Sequence, residues 1–184
     1  PKNTEIIGVS AMFSGEWPVV RDLINSIRNF FPKTLIIAGG EHITALPEYS
    51  LRDCKALDIC VIGEGEHTFY EILEAKYNKI SLHEDPGICF LNKDKNYIST
   101  GVKPRIRKID EIPWPFWPKG YLEKFWEFGK SYGVATKRDM PILASRGCPY
   151  QCTFCSNPLM WTTRYILRDT KDLINEIKYY KKKY

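Results

Sequence analysis

Three short apolar runs, each followed by a stretch of helical spacing, constrain the fold of this chain more than any other feature. The runs are residues 5–12, 34–38 and 58–62. Uninterrupted apolar runs of this length are typical of strands buried on both faces of a sheet. Apolar positions then recur at helical spacing after the first run, until Pro32 ends the helix. The alternation predicts βαβ units, and therefore an α/β fold with a parallel sheet.

Small residues stand where each predicted strand ends. In parallel sheets, ligands bind at the carboxyl ends of the strands. Glycine allows a backbone to approach a ligand closely, so these ends suit a large ligand. For any single glycine, a tight strand-to-helix turn is the simpler interpretation. The residues at these ends are Ser10, Gly39, Gly40, Gly63, Glu64, Gly65 and Glu66.

The second half of the chain changes character. Residues 87–100 predict a β-hairpin, and residues 103–120 form a connector rich in proline and tryptophan whose aromatic side chains we expect to pack. A strand at 141–145 is then followed by a cysteine-rich loop and a helix capped by Asp169 or Thr170. This predicts three segments: a first domain at 1–85, a hairpin and linker at 86–140, and a further strand–loop–helix unit at 141–184.

Composition and charge exclude several classes of protein. The 184 residues are 43% hydrophobic, which is enough for a core, and no apolar run reaches the length of a membrane span. The start at Pro1 lacks a signal pattern, so we expect an internal piece of a longer cytoplasmic protein. The net charge of +5 comes partly from Arg105, Arg107, Lys108 and residues 181–183. We interpret these as a solvated loop and helix end, and do not expect nucleic-acid binding.

Three of the six cysteines form a motif. Cys54, Cys60 and Cys89 are scattered and predict buried small side chains. The remaining cysteines are separated by three and then two residues, and such a loop can hold three corners of a [4Fe–4S] cluster, because thiolates are soft ligands. The fourth iron would then keep an open position for chemistry. The predicted metal ligands are Cys148, Cys152 and Cys155.

Four other interpretations of this loop remain. A structural zinc site needs a fourth ligand, and no further Cys or His lies nearby. A redox pair at Cys152 and Cys155 leaves Cys148 unexplained. A cluster that only transfers electrons normally has four cysteine ligands. The fourth alternative is a chance grouping of structural cysteines.

The cysteine spacing, with Phe154 before the last cysteine, resembles the cluster motif of the radical S-adenosylmethionine superfamily. The stretches at 39–42, 63–66 and 109–113 resemble the members that carry a cobalamin-binding domain. The resemblance covers nearly the whole chain. It implies a Rossmann-like cobalamin domain, a linker and the first βα unit of a truncated (β/α) barrel. It also implies three cofactors: a [4Fe–4S] cluster, S-adenosylmethionine and cobalamin.

The resemblance carries implications for individual residues and partners. Phe154 would lie near the adenine of S-adenosylmethionine, and cobalamin would be bordered by Ser10, Ala11, Met12, Gly39, Gly40, Gly63, Glu64, Gly65 and Glu66. A reduced cluster would cleave S-adenosylmethionine to a 5′-deoxyadenosyl radical, for methylation, cyclisation or rearrangement of an unactivated carbon. The expected partners are a small-molecule substrate and a reductant such as flavodoxin or ferredoxin.

Two departures from the family pattern limit these expectations. The Asp-x-His-x-x-Gly element, whose His ligates cobalt in some relatives, would precede residue 5, and His42 does not sit in that pattern. A barrel of this type needs about 200 residues, so we do not expect residues 141–184 to complete a catalytic site. The rivals are therefore a corrinoid-binding module with a structural or vestigial cysteine loop, and a zinc-dependent interaction protein.

Overall fold

The computed structural model describes residues 3–80, 86–129 and 138–184, which form two units. The first unit comprises Pro1–Ile106 with Gly147–Arg164, and the second comprises Arg107–Arg146 with Tyr165–Tyr184. No helix in the described ranges is long and apolar enough to cross a membrane. The strands are β1 (Ile6–Ser10), β2 (Leu35–Gly39), β3 (Ile59–Val61), β4 (Ile88–Leu91), β5 (Tyr97–Ser99), β6 (Ser145–Arg146) and β7 (Ile166–Leu167). The α-helices are α1 (Trp17–Phe30), α2 (Glu41–Ala45), α3 (Pro47–Asp53), α4 (Gly65–Asn78), α5 (Tyr121–Glu127), α6 (Asn157–Met160) and α7 (Thr170–Lys183).

The first unit is built on a five-stranded sheet in the order β1-β2-β3-β4-β5. β1, β2 and β3 are parallel, and β4 and β5 continue the sheet as an antiparallel hairpin. The predicted α/β fold is confirmed, and so is the hairpin, which belongs to the same sheet. Ser10 lies beside Gly39 in the register of β1 and β2, so the carboxyl ends of these two strands are level.

Helices cover both faces of this sheet. Ile36 and Ile37 are neighbours on β2, so their side chains point to opposite faces. Ile36 packs with Ile24 of α1 in one buried cluster, and Ile37 packs with Ile72 of α4 in the other. Full burial of such a side chain contributes about 1.5–3 kcal/mol, so these two clusters fix the helices on the sheet. The three scattered cysteines are buried, as predicted.

The second unit departs from the predicted strand at 141–145. Strand β6 contains only Ser145 and Arg146 and pairs antiparallel with β7. The prediction was wrong for the residues before Ser145, where Pro141 supplies no N–H for a ladder. The helix that follows begins as predicted, because Asp169 accepts a hydrogen bond from the N–H of Asp172 at 3.0 Å.

The proline- and tryptophan-rich connector packs against α7 within this second unit. Tyr180 donates a hydrogen bond to the carbonyl of Pro115 at 2.5 Å, and Trp114 donates to the Asp172 carboxylate at 3.2 Å. The expectation that the aromatic side chains of the connector pack is confirmed for Trp114, whereas Phe116 is 83% exposed. Both hydrogen bonds are made by residues of α7, Asp172 and Tyr180. The helix therefore holds the connector, which has little regular structure of its own.

Candidate functional site

A cavity of about 480 Å³ lies at the carboxyl ends of β1, β2 and β3. Five of its fourteen lining residues are glycines, which let a ligand approach main-chain atoms directly. Phe69 of α4 adds apolar surface, and so do Met160 and Trp161, which follow the cysteines in the same loop. Of the predicted cofactor-facing residues, those that line the cavity are Ser10, Gly39, Gly40, Gly63, Glu64, Gly65 and Glu66.

The other two predicted residues, Ala11 and Met12, do not line the cavity. Ala11 is buried behind the rim, where its N–H donates to the carbonyl of Gly39 at 2.8 Å. Its carbonyl accepts from the N–H of His42 at 3.1 Å. Met12 is 47% exposed. The structure therefore brings seven of the nine residues together and gives Ala11 a supporting position.

Gly40 makes the close approach of β1 and β2 possible. It has a φ of 106°, and a Cβ atom there would lie 2.6 Å from the carbonyl oxygen of Ala11. A side chain would therefore force the two strand ends apart. At Gly63 the φ of 75° also favours glycine, but the space around it is open. Its N–H donates to Thr44 Oγ1 at 3.0 Å, which fixes the turn after β3.

His42 is buried next to the cavity-lining residue Gly40 and contacts the helices that follow β1 and β2. Its side chain is 2% exposed and stacks on Trp17, with 4.7 Å between ring centroids. The ring nitrogens lie 2.9 Å from Ser14 Oγ and 3.2 Å from Ser50 Oγ. Burial lowers the pKa of His42, so the imidazole is held neutral. Both nitrogens are already engaged, and this histidine joins the start of α1 to α3.

The predicted cluster ligands lie in the same unit as the cavity, on the loop that enters at Gly147. Cys148 is half-buried, and Cys152 and Cys155 are exposed. Across the ranges that the structure describes, no three Cys, His, Asp or Glu side chains converge as metal ligands, so the thiols are not gathered around a common point. Phe154 is 91% exposed.

The segment after the cysteines returns to the strand ends. Ser156 Oγ donates to Glu41 Oε2 at 2.6 Å, and α6 packs against α2. The side-chain amide of Asn157 donates to the carbonyls of Cys148 and Thr162, both at 3.3 Å. These contacts draw the two ends of the loop together and place its later part at the mouth of the cavity.

Sequence reasoning missed a second connection, made by Arg105. The basic stretch was predicted to be a solvated loop, and for Arg105 this was wrong because its side chain is only 12% exposed. Its guanidinium donates to the carbonyls of Trp161 and Arg164. Glu64 Oε2, 3.7 Å from Arg105 Nε, carries the opposite charge. No signal of local sequence spacing reveals this contact, because Arg105 and its partners come from three separate parts of the chain.

The residues present fit cobalamin and the [4Fe–4S] cluster to different degrees. The glycine-lined cavity and its apolar wall suit part of a large, flat cofactor, as does the absence of a side chain at Gly63. The three thiols have the chemistry of iron–sulfur ligands. Their exposed loop would have to close around a cluster, since the described arrangement does not gather them.

Comparisons with known proteins agree with this geometry. Residues 2–73 match the family model of the B12 binding domain. The chain is 29% identical to an uncharacterised methyltransferase of Pyrococcus horikoshii, covering 94% of this chain and 36% of the relative. It is 31% identical to an anaerobic magnesium-protoporphyrin IX monomethyl ester cyclase of Synechocystis, covering 94% of this chain and 32% of the relative. It thus spans about a third of the curated relatives.

A solved structure matches the fold. It is the radical S-adenosylmethionine methyltransferase TsrM from Kitasatospora setae with cobalamin and a [4Fe–4S] cluster bound. The match has a TM-score of 0.70 at 17% identity and covers 95% of this chain and 35% of TsrM. Over residues 2–73 the chain is therefore similar to the B12 binding domain family, and its fold is similar to that of a radical S-adenosylmethionine methyltransferase that binds cobalamin.

Proposed function

We propose that this chain is the part of a cobalamin-dependent radical S-adenosylmethionine enzyme that holds cobalamin and the cluster next to one another. The observation that carries the proposal is the position of Met160 and Trp161. These residues follow the cysteine motif and line the cavity at the strand ends of the B12 binding domain. A cluster on the preceding cysteines would therefore lie close to a corrinoid at those strand ends.

The cobalamin site consists of the residues at the carboxyl ends of the three parallel strands. The backbone of Gly39, Gly40 and Gly63 would lie against the cofactor, because no side chain stands between it and the cavity. Ser10 offers a hydroxyl at the same rim. Ala11 acts indirectly, because its hydrogen bonds to Gly39 and His42 hold the chain on either side of Gly40.

The cluster ligands are Cys148, Cys152 and Cys155. Asn157 helps to close their loop, since its N–H donates to Cys155 Sγ at 3.4 Å and its side chain reaches the carbonyl of Cys148. A [4Fe–4S] cluster held by these cysteines would supply the electron that cleaves S-adenosylmethionine to methionine and a 5′-deoxyadenosyl radical. Phe154 precedes the last ligand and would border the adenine of S-adenosylmethionine, mainly through its backbone.

The reaction of the whole protein is proposed to be methylation of an unactivated carbon of a small molecule. Names of relatives support methyl transfer, and the cyclases among them support cyclisation as the nearest variant. The chain spans about a third of those relatives, and the role proposed for its own residues is to bind the cofactors. A cytoplasmic setting and a reductant such as flavodoxin or ferredoxin are part of the proposal.

Anaerobic reconstitution followed by iron, sulfide and zinc analysis tests the cluster ligands. We expect about four irons and four sulfides per chain, and their loss in Cys152→Ala. The matched control is Cys54→Ser, which alters a buried cysteine outside the motif and should load normally. Both variants should keep cobalamin binding, measured from the corrinoid absorption. Zinc in place of iron and sulfide would contradict the proposal.

The second candidate is a corrinoid-binding module whose cysteine loop has a structural role. It is favoured by one observation, the absence of a converged set of three metal ligands within the described residues. Under this alternative, Cys152→Ala and the unaltered chain would bind cobalamin equally and neither would hold iron. The same reconstitution therefore separates the two candidates.

A further inference from the structure

The cysteine loop is closed at its base by a close contact between its first and last residues. Gly147 precedes the first cysteine with a φ of 85°, and a Cβ atom there would lie 2.1 Å from the carbonyl oxygen of Arg164. The same Cβ would lie 3.1 Å from Arg105 Nη1. The entry and exit of the loop therefore meet, and the guanidinium of Arg105 lies where they meet.

Arg105 contacts the exit side of the loop through several bonds. Its Nη1 donates to the carbonyl of Arg164 at 2.7 Å and also to the carbonyl of Trp161. The guanidinium carbon lies 5.5 Å from the centroid of the Trp161 ring, within the range of a cation–π contact. A planar guanidinium can make these contacts together, whereas a lysine ammonium is a single point of charge.

The charge of Arg105 is balanced on the side of the B12 binding domain. Glu64 is almost fully buried, with 4% of its side chain exposed, and a buried carboxylate is costly unless it has a partner of opposite charge. Arg105 Nε lies 3.7 Å from its Oε2, and the N–H of Ile106 donates to the same oxygen at 2.6 Å. Glu64 therefore anchors the segment that carries Arg105 to the end of β3.

We propose that Arg105 is a positioning residue, which fastens the base of the cysteine loop to Glu64 and so sets where the cluster ligands lie relative to the strand ends. The inference rests on the proposed function in one respect, the presence of a cluster on this loop. It also gives Glu64 a second role: the residue lines the cavity, and its carboxylate holds Arg105 and the loop.

Hydrogen–deuterium exchange of the chain without cofactors tests the fastening itself. In Arg105→Gln we expect amides of residues 157–164 to exchange about ten-fold faster, because charge-assisted hydrogen bonds to two carbonyls are lost. The matched control is Lys103→Gln, a neighbouring cation whose ammonium group pairs with Glu71. Equal exchange rates of residues 157–164 in the two variants would overturn the proposal, whether the rates increase in both variants or in neither.

A conservative pair of variants keeps the test decisive if Arg105→Gln does not fold. Arg105→Lys keeps the charge but cannot span both carbonyls and Glu64, so exchange of residues 157–164 should rise by a smaller factor. Glu64→Gln keeps an acceptor for the N–H of Ile106 and removes the buried charge. It should raise exchange in the same residues. Protection as strong as in the unaltered chain in both variants would overturn the proposal.

A spectroscopic measurement distinguishes positioning from a purely structural role. In the chain loaded with cob(II)alamin and a reduced cluster, the dipolar coupling of the two unpaired spins reports their separation. We expect one defined coupling in the unaltered chain and in Lys103→Gln, and a broadened or weaker coupling in Arg105→Lys with both cofactors still bound. An unchanged coupling would overturn the positioning role. Failure to load either cofactor would count against the proposed function, and the exchange comparison would still decide on Arg105.

Discussion

Ser156 and Glu41 are joined by a hydrogen bond of 2.6 Å although 115 positions separate them in the sequence. Ser156 directly follows the last cysteine of the motif, and Glu41 begins the helix that follows the end of β2. A charge-assisted bond of this kind contributes about 1.5–3 kcal/mol when it is shielded from water, and less when it is exposed. This bond and the contacts of Arg105 hold the loop on the same strand ends.

A double-mutant cycle on Ser156→Ala and Glu41→Gln should show this connection. We expect the two substitutions to be non-additive, with a coupling of about 1 kcal/mol in the free energy of unfolding measured by denaturant titration. Additive effects would mean that the bond does not hold the loop in solution.

Gly40→Ala should strongly destabilise the first unit. A Cβ at this position would meet the carbonyl of Ala11 at 2.6 Å, and a φ of 106° is strained for alanine. We expect a loss of about 2–4 kcal/mol in the free energy of unfolding, together with weaker cobalamin binding. The control is Gly15→Ala, where the new methyl group would have no neighbour within 4 Å, and the loss should stay below about 1 kcal/mol. Similar losses in the two variants would contradict the packing described for Gly40.

The free energy of unfolding should decrease as the pH is lowered, because of His42. Burial lowers the pKa of the folded histidine, whereas the unfolded chain protonates it near pH 6.5. Below that pH the unfolded state binds more protons, so the free energy of unfolding decreases as the pH falls from about 6.5 towards the folded pKa. His42→Gln should remove this part of the pH dependence, although it lowers stability overall. Identical pH profiles of unfolding for the variant and the unaltered chain would contradict the assignment.

Arg168→Gln should destabilise the second unit. Arg168 pairs with Asp172 and with Glu176, whose side chain is 1% exposed, and its Nη1 donates to the carbonyl of Leu143 at 3.0 Å. Removing the arginine leaves Glu176 buried without its partner, which typically costs about 3–5 kcal/mol. Lys171→Gln, an exposed cation at the start of the same helix, is the control and should be nearly neutral. A thermal unfolding profile that Arg168→Gln leaves unchanged would contradict this description.

The elements that the sequence predicted correctly are those whose signal is local. Ile36 and Ile37 lie in an apolar run that can only be satisfied by burial on both faces, so β2 was predictable from its own residues. The grouping of the strand-end glycines was predictable, because the carboxyl ends of parallel strands lie at one edge of the sheet. The cysteine motif was recognisable from its spacing, and its role as a metal site stays a prediction.

What the sequence did not reveal depends on contacts between distant residues. Arg105 was interpreted as part of a solvated loop, because none of its partners lies near it in the sequence. Its partners include Glu64 and Trp161, which are distant in sequence. The strand predicted at 141–145 shares only Ser145 with the observed strand, which is Ser145–Arg146, since the extent of a strand depends on the partner it pairs with as well as on its own residues.

The measurement that tests the central claim most directly is electron paramagnetic resonance of the anaerobically reconstituted and reduced chain, recorded with and without S-adenosylmethionine. The account predicts a [4Fe–4S] signal whose shape changes when S-adenosylmethionine is added, because three cysteines leave one iron open. A chain that takes up zinc and shows no cluster signal would contradict the claim that Cys148, Cys152 and Cys155 are cluster ligands.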